Sequence, residues 1–313
     1  MLFCIPMGTW ISAGSVKPPA AEAGDVMKYL DTQAEFEARG FIFKRGLLSP
    51  TEVALLREGI KSAQPLDPRN TRLNKDGLVF YHNLFCRSPA LQAFISRPKI
   101  VEWLCQIIGP DFWVRWDQAV LKRPGGAEFP WHQDNGYNRL KDGHFQLWIA
   151  LTDSRVENGG LWLQPGSHRR GVLPHKRVAN HLVCASDPAT AISVEAEAGD
   201  AILFSSLMVH YTSPNTSDLD RWAYVVEYMS LAHWDPFIKP PYFVVARNGR
   251  PAPAFVQSYR GKVSLRNQMK YLAPRIKMLA GRNLRKVRPG KRAPARHDPS
   301  PETNSDDRLS RRS

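Results

Sequence analysis

Apolar positions recur at two spacings along this chain, and the change between them divides it. Up to about residue 110 the pattern is helical and carries start signals. Thr32 with Glu35, and Ser49-Pro50-Thr51-Glu52 ahead of "VALLREGI", have the spacing of capping boxes. Pro50 falls at a first helical position, where its missing N–H is no loss. Between them "GFIFKRGLL" reads as a short strand bounded by Gly40 and Gly46. A second helical pattern, "ALQAFISRPKIVEWLCQII", is interrupted by Pro98 and stops before Gly109-Pro110.

From about Trp113 to Met229 the period shortens. The runs "FWVRWDQAVLK", "FQLWIALTD", "LWLQPGS", "AISVEAE", "AILFSS" and "RWAYVVEYM" are β-rich, and Gly125-Gly126, Asn158-Gly159-Gly160 and Gly199-Asp200 punctuate them as turns. Helices first and many short strands afterwards predict an α+β chain: a β-sandwich or jelly roll buttressed by N-terminal helices. Residues 231–280 read as a Pro-rich extension followed by a helix over "SLRNQMKYLAPRIKMLAG", and there is no internal repeat.

Composition adds bounds. With 313 residues, 43% of them apolar, the chain can bury a large core. No run approaches the roughly 18 apolar residues of a membrane-spanning helix. Before the first apolar stretch there is no basic residue, and Pro6, Gly8 and Gly14 break it, so it does not match a secretory signal. Cys4, Cys86, Cys105 and Cys184 are scattered without a CxxC pair, which suits reduced thiols in a cytoplasm. Of the net charge of +14, a large share lies in residues 281–313, where ten Lys/Arg face four acids. Such a Pro/Arg/Ser-rich tail buries too little apolar surface to order itself. The expected organisation is a poorly ordered segment over 1–24, one domain over 25–280 with its β core at about 113–230, and a basic disordered tail over 281–313.

The candidate chemistry starts in "FPWHQDNGY". In an extended segment residues i and i+2 share a face, so His132 and Asp134 can grip one ion together. A second histidine must come from a neighbouring strand. His210 is the best placed, at the end of the apolar run in "EAGDAILFSSLMVHYTSPN". Two imidazoles and a carboxylate make the facial set that leaves positions on Fe(II) open for substrates and O2. Zinc suits the same donors, but no HExxH-like partner supplies a base to activate water. Arg221 opens "RWAYVVEYM", and an arginine on an apolar strand needs a partner. Either it pairs with a core acid such as Glu227, or its guanidinium fork takes the far carboxylate of a dicarboxylate that chelates the metal. That cosubstrate would be 2-oxoglutarate.

Taken together, "WHQD", "ENGGLWLQPGSH", "EAGDAILFSSLMVHYTSPN", the His210-to-Arg221 spacing and the opening "FEARGFIFKRGLLSPTEVALLREGI" resemble the phytanoyl-CoA dioxygenase (PhyH) family of Fe(II)/2-oxoglutarate oxygenases over residues 25–235. The resemblance implies a double-stranded β-helix (jelly roll, cupin-like) core, with His132, Asp134 and His210 on iron and Arg221 on 2-oxoglutarate. It also implies Thr212, Asn215, Trp148, Gln118 and Lys122 near the cosubstrate or metal. Related halogenases carry a small residue in place of the aspartate; with Asp134 present, hydroxylation of a small-molecule substrate, with release of succinate and CO2, is the implied reaction. Phe129, Trp131, Trp148 and Trp162 are candidates for walling the cavity. Loops carrying Arg72, Tyr81, His82, Tyr137, Arg139, His144, His168, Arg169 and Arg170 are expected to flank a basic mouth suited to an acidic substrate, with His82, His144 and His168 as loop residues rather than ligands.

Two other classes compete. The chain could be a catalytically silent module that binds 2-oxoglutarate or metal, since fold does not fix function. A nucleic-acid role leans on the basic tail, but the core lacks an interleaved basic and aromatic pattern and any reader motif, so no specific nucleic-acid partner is expected. Substrate identity and oligomeric state are not legible.

Overall fold

The helical half forms as α1 (Thr32–Arg39), β1 (Phe41–Lys44) and α2 (Pro50–Ala63). In the computed structural model, which describes residues 32–64, 71–73 and 77–259, Ser49 Oγ accepts from Glu52 N while Glu52 Oε2 accepts from Ser49 N at 2.8 Å. That reciprocal cap leaves Val53, Leu56 and Ile60 on one buried stripe. After β2 (Thr71–Leu73) and β3 (Leu78–His82), Ser88 caps α3 (Pro89–Ile95), and Pro98 starts α4 (Pro98–Ile108) as a first-turn proline. The interruption expected at Pro98 is therefore a boundary between two helices. The described residues all belong to one unit, Met1–Lys262. Residues 1–24, the tail over 281–313 and the helix expected within 264–281 lie outside the described residues.

Strands dominate from here: β4 (Phe112–Lys122), β5 (Phe129–His132), a short α5 (Asp134–Asn138), β6 (Phe145–Ala150), β7 (Leu161–Leu163), β8 (His175–Val178), β9 (His181–Cys184), β10 (Ile192–Val194), β11 (Ala201–Ser205), β12 (His210–Thr212), β13 (Arg221–Ser230), β14 (Tyr242–Arg247) and β15 (Arg250–Val256). The major sheet runs β1-β11-β6-β13-β4-β14-β15, with β2 and β3 added along β4; the minor sheet runs β10-β7-β12-β5; β8 and β9 pair as a separate hairpin. Apart from β1 and the pairs β2–β3, β8–β9 and β14–β15, the order is that of two facing antiparallel sheets, the jelly roll expected from the pattern of short strands. The extension expected after residue 231 holds a hairpin instead. Its turn is Asn248-Gly249, both at positive φ, a strong hairpin signal that Pro251 and Pro253 obscured.

Alternation along β13 sets the two cores. Tyr224, Val226 and Tyr228 pack with Leu56, Ile100 and Leu104 of the helices, whereas Ala223 and Val225 pack between the sheets with Leu161, Leu163 and Phe204. Arg221 and Glu227 share the parity of Ala223 and Val225, so two charged side chains stand on the inner face of an otherwise apolar strand.

Candidate active site

The minor sheet supplies the first part of the site. β12 pairs antiparallel with β5, and the register places His210 directly opposite His132, with ring centroids 4.0 Å apart. Gln133 is extended (φ −117, ψ 136), so Asp134 returns to the face of His132 before α5 begins. Asp134 Oδ1 lies 3.6 Å from His132 Nε2, and its Oδ2 lies 3.8 Å from His210 Nε2. One ligand atom from each of the three residues falls within 4.8 Å of the others.

Both rings are oriented from behind. His132 Nδ1 is 2.8 Å from Pro130 O, and His210 Nδ1 is 3.0 Å from Met208 O; a carbonyl can only accept, so each Nδ1 carries a proton and each Nε2 is the nitrogen turned to the site. Burial, with His132 alongside, pulls His210 down to about 4, which keeps it neutral. Burial presses Asp134 upward, but the neighbouring His210 and His132 outweigh it and bring the carboxyl to about 2. Two imidazoles beside an ionised carboxylate are the donor set that a ferrous ion takes.

The major sheet supplies the rest. A cavity of about 320 Å³ is lined by the three candidate ligands together with Gln118, Trp148, Thr212 and Arg221. Arg221 is 1% exposed; its side chain makes no ion pair or hydrogen bond among the described residues, and its Nε is buried without a partner. Burial alone draws its pKa to about 10. Glu227, the alternative partner, is engaged by Arg115, so that pairing does not form. A buried guanidinium facing a cavity without its counter-ion fits a ligand carboxylate.

Lys122 and Asn215 do not line the cavity; they hold its wall. Lys122, fully buried, donates through Nζ to Thr212 Oγ1 at 2.8 Å and to the carbonyls of Thr212 and Ser213. Burial and the Arg221 charge press its pKa to about 6. Gly159, at φ +92, is required here, because a Cβ would stand 2.3 Å from Lys122 Cδ. Asn215 Nδ2 donates to the carbonyls of Lys122 and Leu219 and so closes the turn after β12. With Lys122 Nζ as the donor to it at 2.8 Å, the Thr212 hydroxyl is left its own proton for another acceptor.

Of the aromatic wall candidates, Phe129 and Trp148 line the cavity, while Trp131 and Trp162 pack in a separate cluster with Tyr211. Of the loop residues expected at a basic mouth, His82 and Tyr137 line it; Arg139, Arg169 and Arg170 do not, and the Arg72 side chain lies outside the described residues. His144, expected on a solvated loop, is 1% exposed and sits 3.7 Å from Glu227. Sequence reasoning also missed the β8–β9 hairpin, whose Asn180 and His181 line the cavity. Leu182 N donates to the Tyr137 hydroxyl at 3.0 Å, and Gly136 lets His175 approach, since a Cβ there would lie 2.4 Å from its ring.

The phytanoyl-CoA dioxygenase (PhyH) family model matches residues 36–223, more than half of the chain. The chain belongs to this family. The PhyH match spans every candidate ligand and Arg221. Over 187 residues the chain is 32% identical to phytanoyl-CoA dioxygenase domain-containing protein 1 of Mus musculus, across 55% of this chain and 62% of the mouse protein. Thus it spans about three-fifths of that relative's length. A probable alpha-ketoglutarate-dependent hypophosphite dioxygenase of Stutzerimonas stutzeri is 24% identical over 230 residues, 66% of this chain and 80% of the other. Among solved structures, EvdO2 from Micromonospora carbonacea var. aurantiaca, complexed with 2-oxoglutarate, superposes with a TM-score of 0.55 at 25% identity over 75% of this chain and 95% of that one. The non-heme monooxygenase ThoJ superposes with a TM-score of 0.60 at 21% identity, covering 81% and 99% of the two chains, and shows the shared jelly-roll fold.

Proposed function

We propose that this PhyH chain is an Fe(II)- and 2-oxoglutarate-dependent dioxygenase that hydroxylates a small molecule and releases succinate and CO2. What carries the reading is Arg221: a buried cation without an anion, in the same cavity as two imidazoles and a carboxylate within ligand reach of one another. His132, Asp134 and His210 would hold the ferrous ion, and Arg221 with the Thr212 hydroxyl would take the far carboxylate of 2-oxoglutarate. Bound iron supplies the activation of O2 and the oxidation of the substrate, which no side chain of this chain can perform. The protein's part is orientation and dryness. Backbone carbonyls fix both imidazoles, the strand register fixes their separation, and Leu161, Val225 and Phe204 exclude water between the metal donors and Arg221.

The test is 2-oxoglutarate turnover under Fe(II) and O2, read as succinate. His132→Ala and Asp134→Ala should each lose it along with stoichiometric Fe(II) binding. Wild-type turnover in either variant removes the proposed ligands. A silent module would bind 2-oxoglutarate while producing no succinate above the protein-free rate.

A further inference from the structure

At the opposite end of β13 from Arg221, about 20 Å away by strand rise, Glu227 faces into the same cavity. Its neighbourhood is built in an unusual way. The β13–β4 register slips at Glu227, which pairs with Trp116, while Tyr228 pairs with Val114; Arg115 is the extra residue of a β-bulge. That bulge turns Arg115 onto the carboxylates of both Glu227 and Asp235. All three side chains are at most 6% exposed. His144, beside Glu227, is drawn to about 3 by burial and the Arg115 charge, so it brings no positive charge. Two carboxylates therefore share one guanidinium, and Asp235, fully buried and also held by Phe237 N at 2.7 Å, suffices to neutralise it. Glu227 is the acid left over, and it is the one that lines the cavity.

Gln146, opposite Glu227 on β6, is 1% exposed and lines the cavity; its amide nitrogen is a donor and answers the carboxylate, not a cation. Trp116 lines the same end, and an indole face attracts a cation. Between the two poles of the cavity lie Val225, Val120 and Trp148. A carboxylate beyond what its guanidinium neutralises, pressed upward in pKa by burial and set beside an aromatic ring, is stabilised by a positively charged guest, not by the acidic one that the basic loops suggested.

We infer that Glu227, with Trp116 beside it, selects the substrate, and that the substrate presents a cationic nitrogen, an ammonium or amidinium, to this end of the cavity. The inference rests on reading the cavity as the oxygenase site. Glu227 is here a specificity residue that touches substrate, and Arg115 positions it.

Matched probes test it on the full chain saturated with Fe(II) and 2-oxoglutarate without O2, so that Arg221 is already occupied: hexylammonium, hexanoate and hexanol, each titrated by calorimetry. Wild type should bind hexylammonium at least about ten-fold more tightly than hexanoate, the margin of one charge-assisted hydrogen bond. Glu227→Gln should remove most of that preference while circular dichroism shows an intact fold. Trp116→Leu removes none of the Arg115, Glu227 and Asp235 side chains, and should weaken hexylammonium more than hexanol; it decides the matter if Glu227→Gln fails to fold. Equal binding of hexylammonium and hexanoate to wild type overturns the inference, as does a folded Glu227→Gln that keeps the preference. Calorimetry of 2-oxoglutarate with Fe(II) without O2 on the same samples separates the two readings. Intact cosubstrate binding with no cation preference removes only the selection, whereas absent cosubstrate binding removes the oxygenase reading.

Discussion

Arg221 and Glu227 stand six residues apart on one face of one strand, and the fold treats their charges in opposite ways. Glu227 is met by an arginine that a bulge turned toward it; Arg221 is met by nothing among the described residues. A third buried charge, Asp117, lies on the helix side of β4, accepting from the Tyr224 hydroxyl at 2.6 Å and from Phe85 N at 3.0 Å with no cation in contact. Burial raises its pKa to about 7. One sheet thus shows three answers to a charge removed from water: pair it, protonate it, or leave it without a counter-ion. Protonation serves the fold alone, and pairing through Arg115 both holds the fold and positions Glu227 at the cavity. The third is a mark of function, because an uncompensated buried cation weakens the free protein and is tolerated where a bound anion repays it.

The largest break in that comparison is Arg115→Ala. It leaves Glu227 and Asp235 buried together without a cation, and should lower the unfolding free energy by about 3–5 kcal/mol in urea titrations. Protonation comes next. Between pH 4 and 7 the folded chain keeps a proton on Asp117 that the unfolded chain has released, so stability falls as pH rises through this window, on the order of 4 kcal/mol in total. Asp117→Asn should flatten that part of the pH profile measured by thermal melts. Arg221→Met should be the mirror image of Arg115→Ala: stability in the free state unchanged or improved, cosubstrate affinity down about a hundred-fold. Accordingly, 2-oxoglutarate with Fe(II), without O2, at a hundred times its dissociation constant should stabilise wild type by about 2.7 kcal/mol and the variant hardly at all. Smallest is Ser49→Ala, which removes a cap far from all three charges and should cost about 1 kcal/mol without moving cosubstrate binding.

Local spacing carried much of this. The His-x-Asp pair is legible because an extended residue between two donors puts them on one side, and Gln133 is extended. Arg221 announced itself as a charge on an apolar run. His210 needed a guess about strand pairing, which the β12–β5 register supports. What stayed hidden depends on contacts between distant segments. Asp235 reaches Arg115 across 120 positions, and the bulge that aims Arg115 leaves no signature in a run that simply alternates. His144 looked like a loop residue because its neighbours Lys141, Asp142 and Gly143 are polar or flexible, yet the chain turns it under the sheet. The β14–β15 hairpin was readable from Asn248-Gly249, but two prolines in its second strand argued against a strand that turns out to be an edge.

Lys122 carries one more consequence. Its amine is sealed behind the turn after β12, spoken for by three oxygens and out of contact with solvent. Amine-reactive reagents will therefore label the outer lysines of the native protein and pass this one by until the cavity wall opens. Mass spectrometry of that single acylation would act as a clock for breathing motions beside the Arg221 pole, readable with no added dye or engineered cysteine.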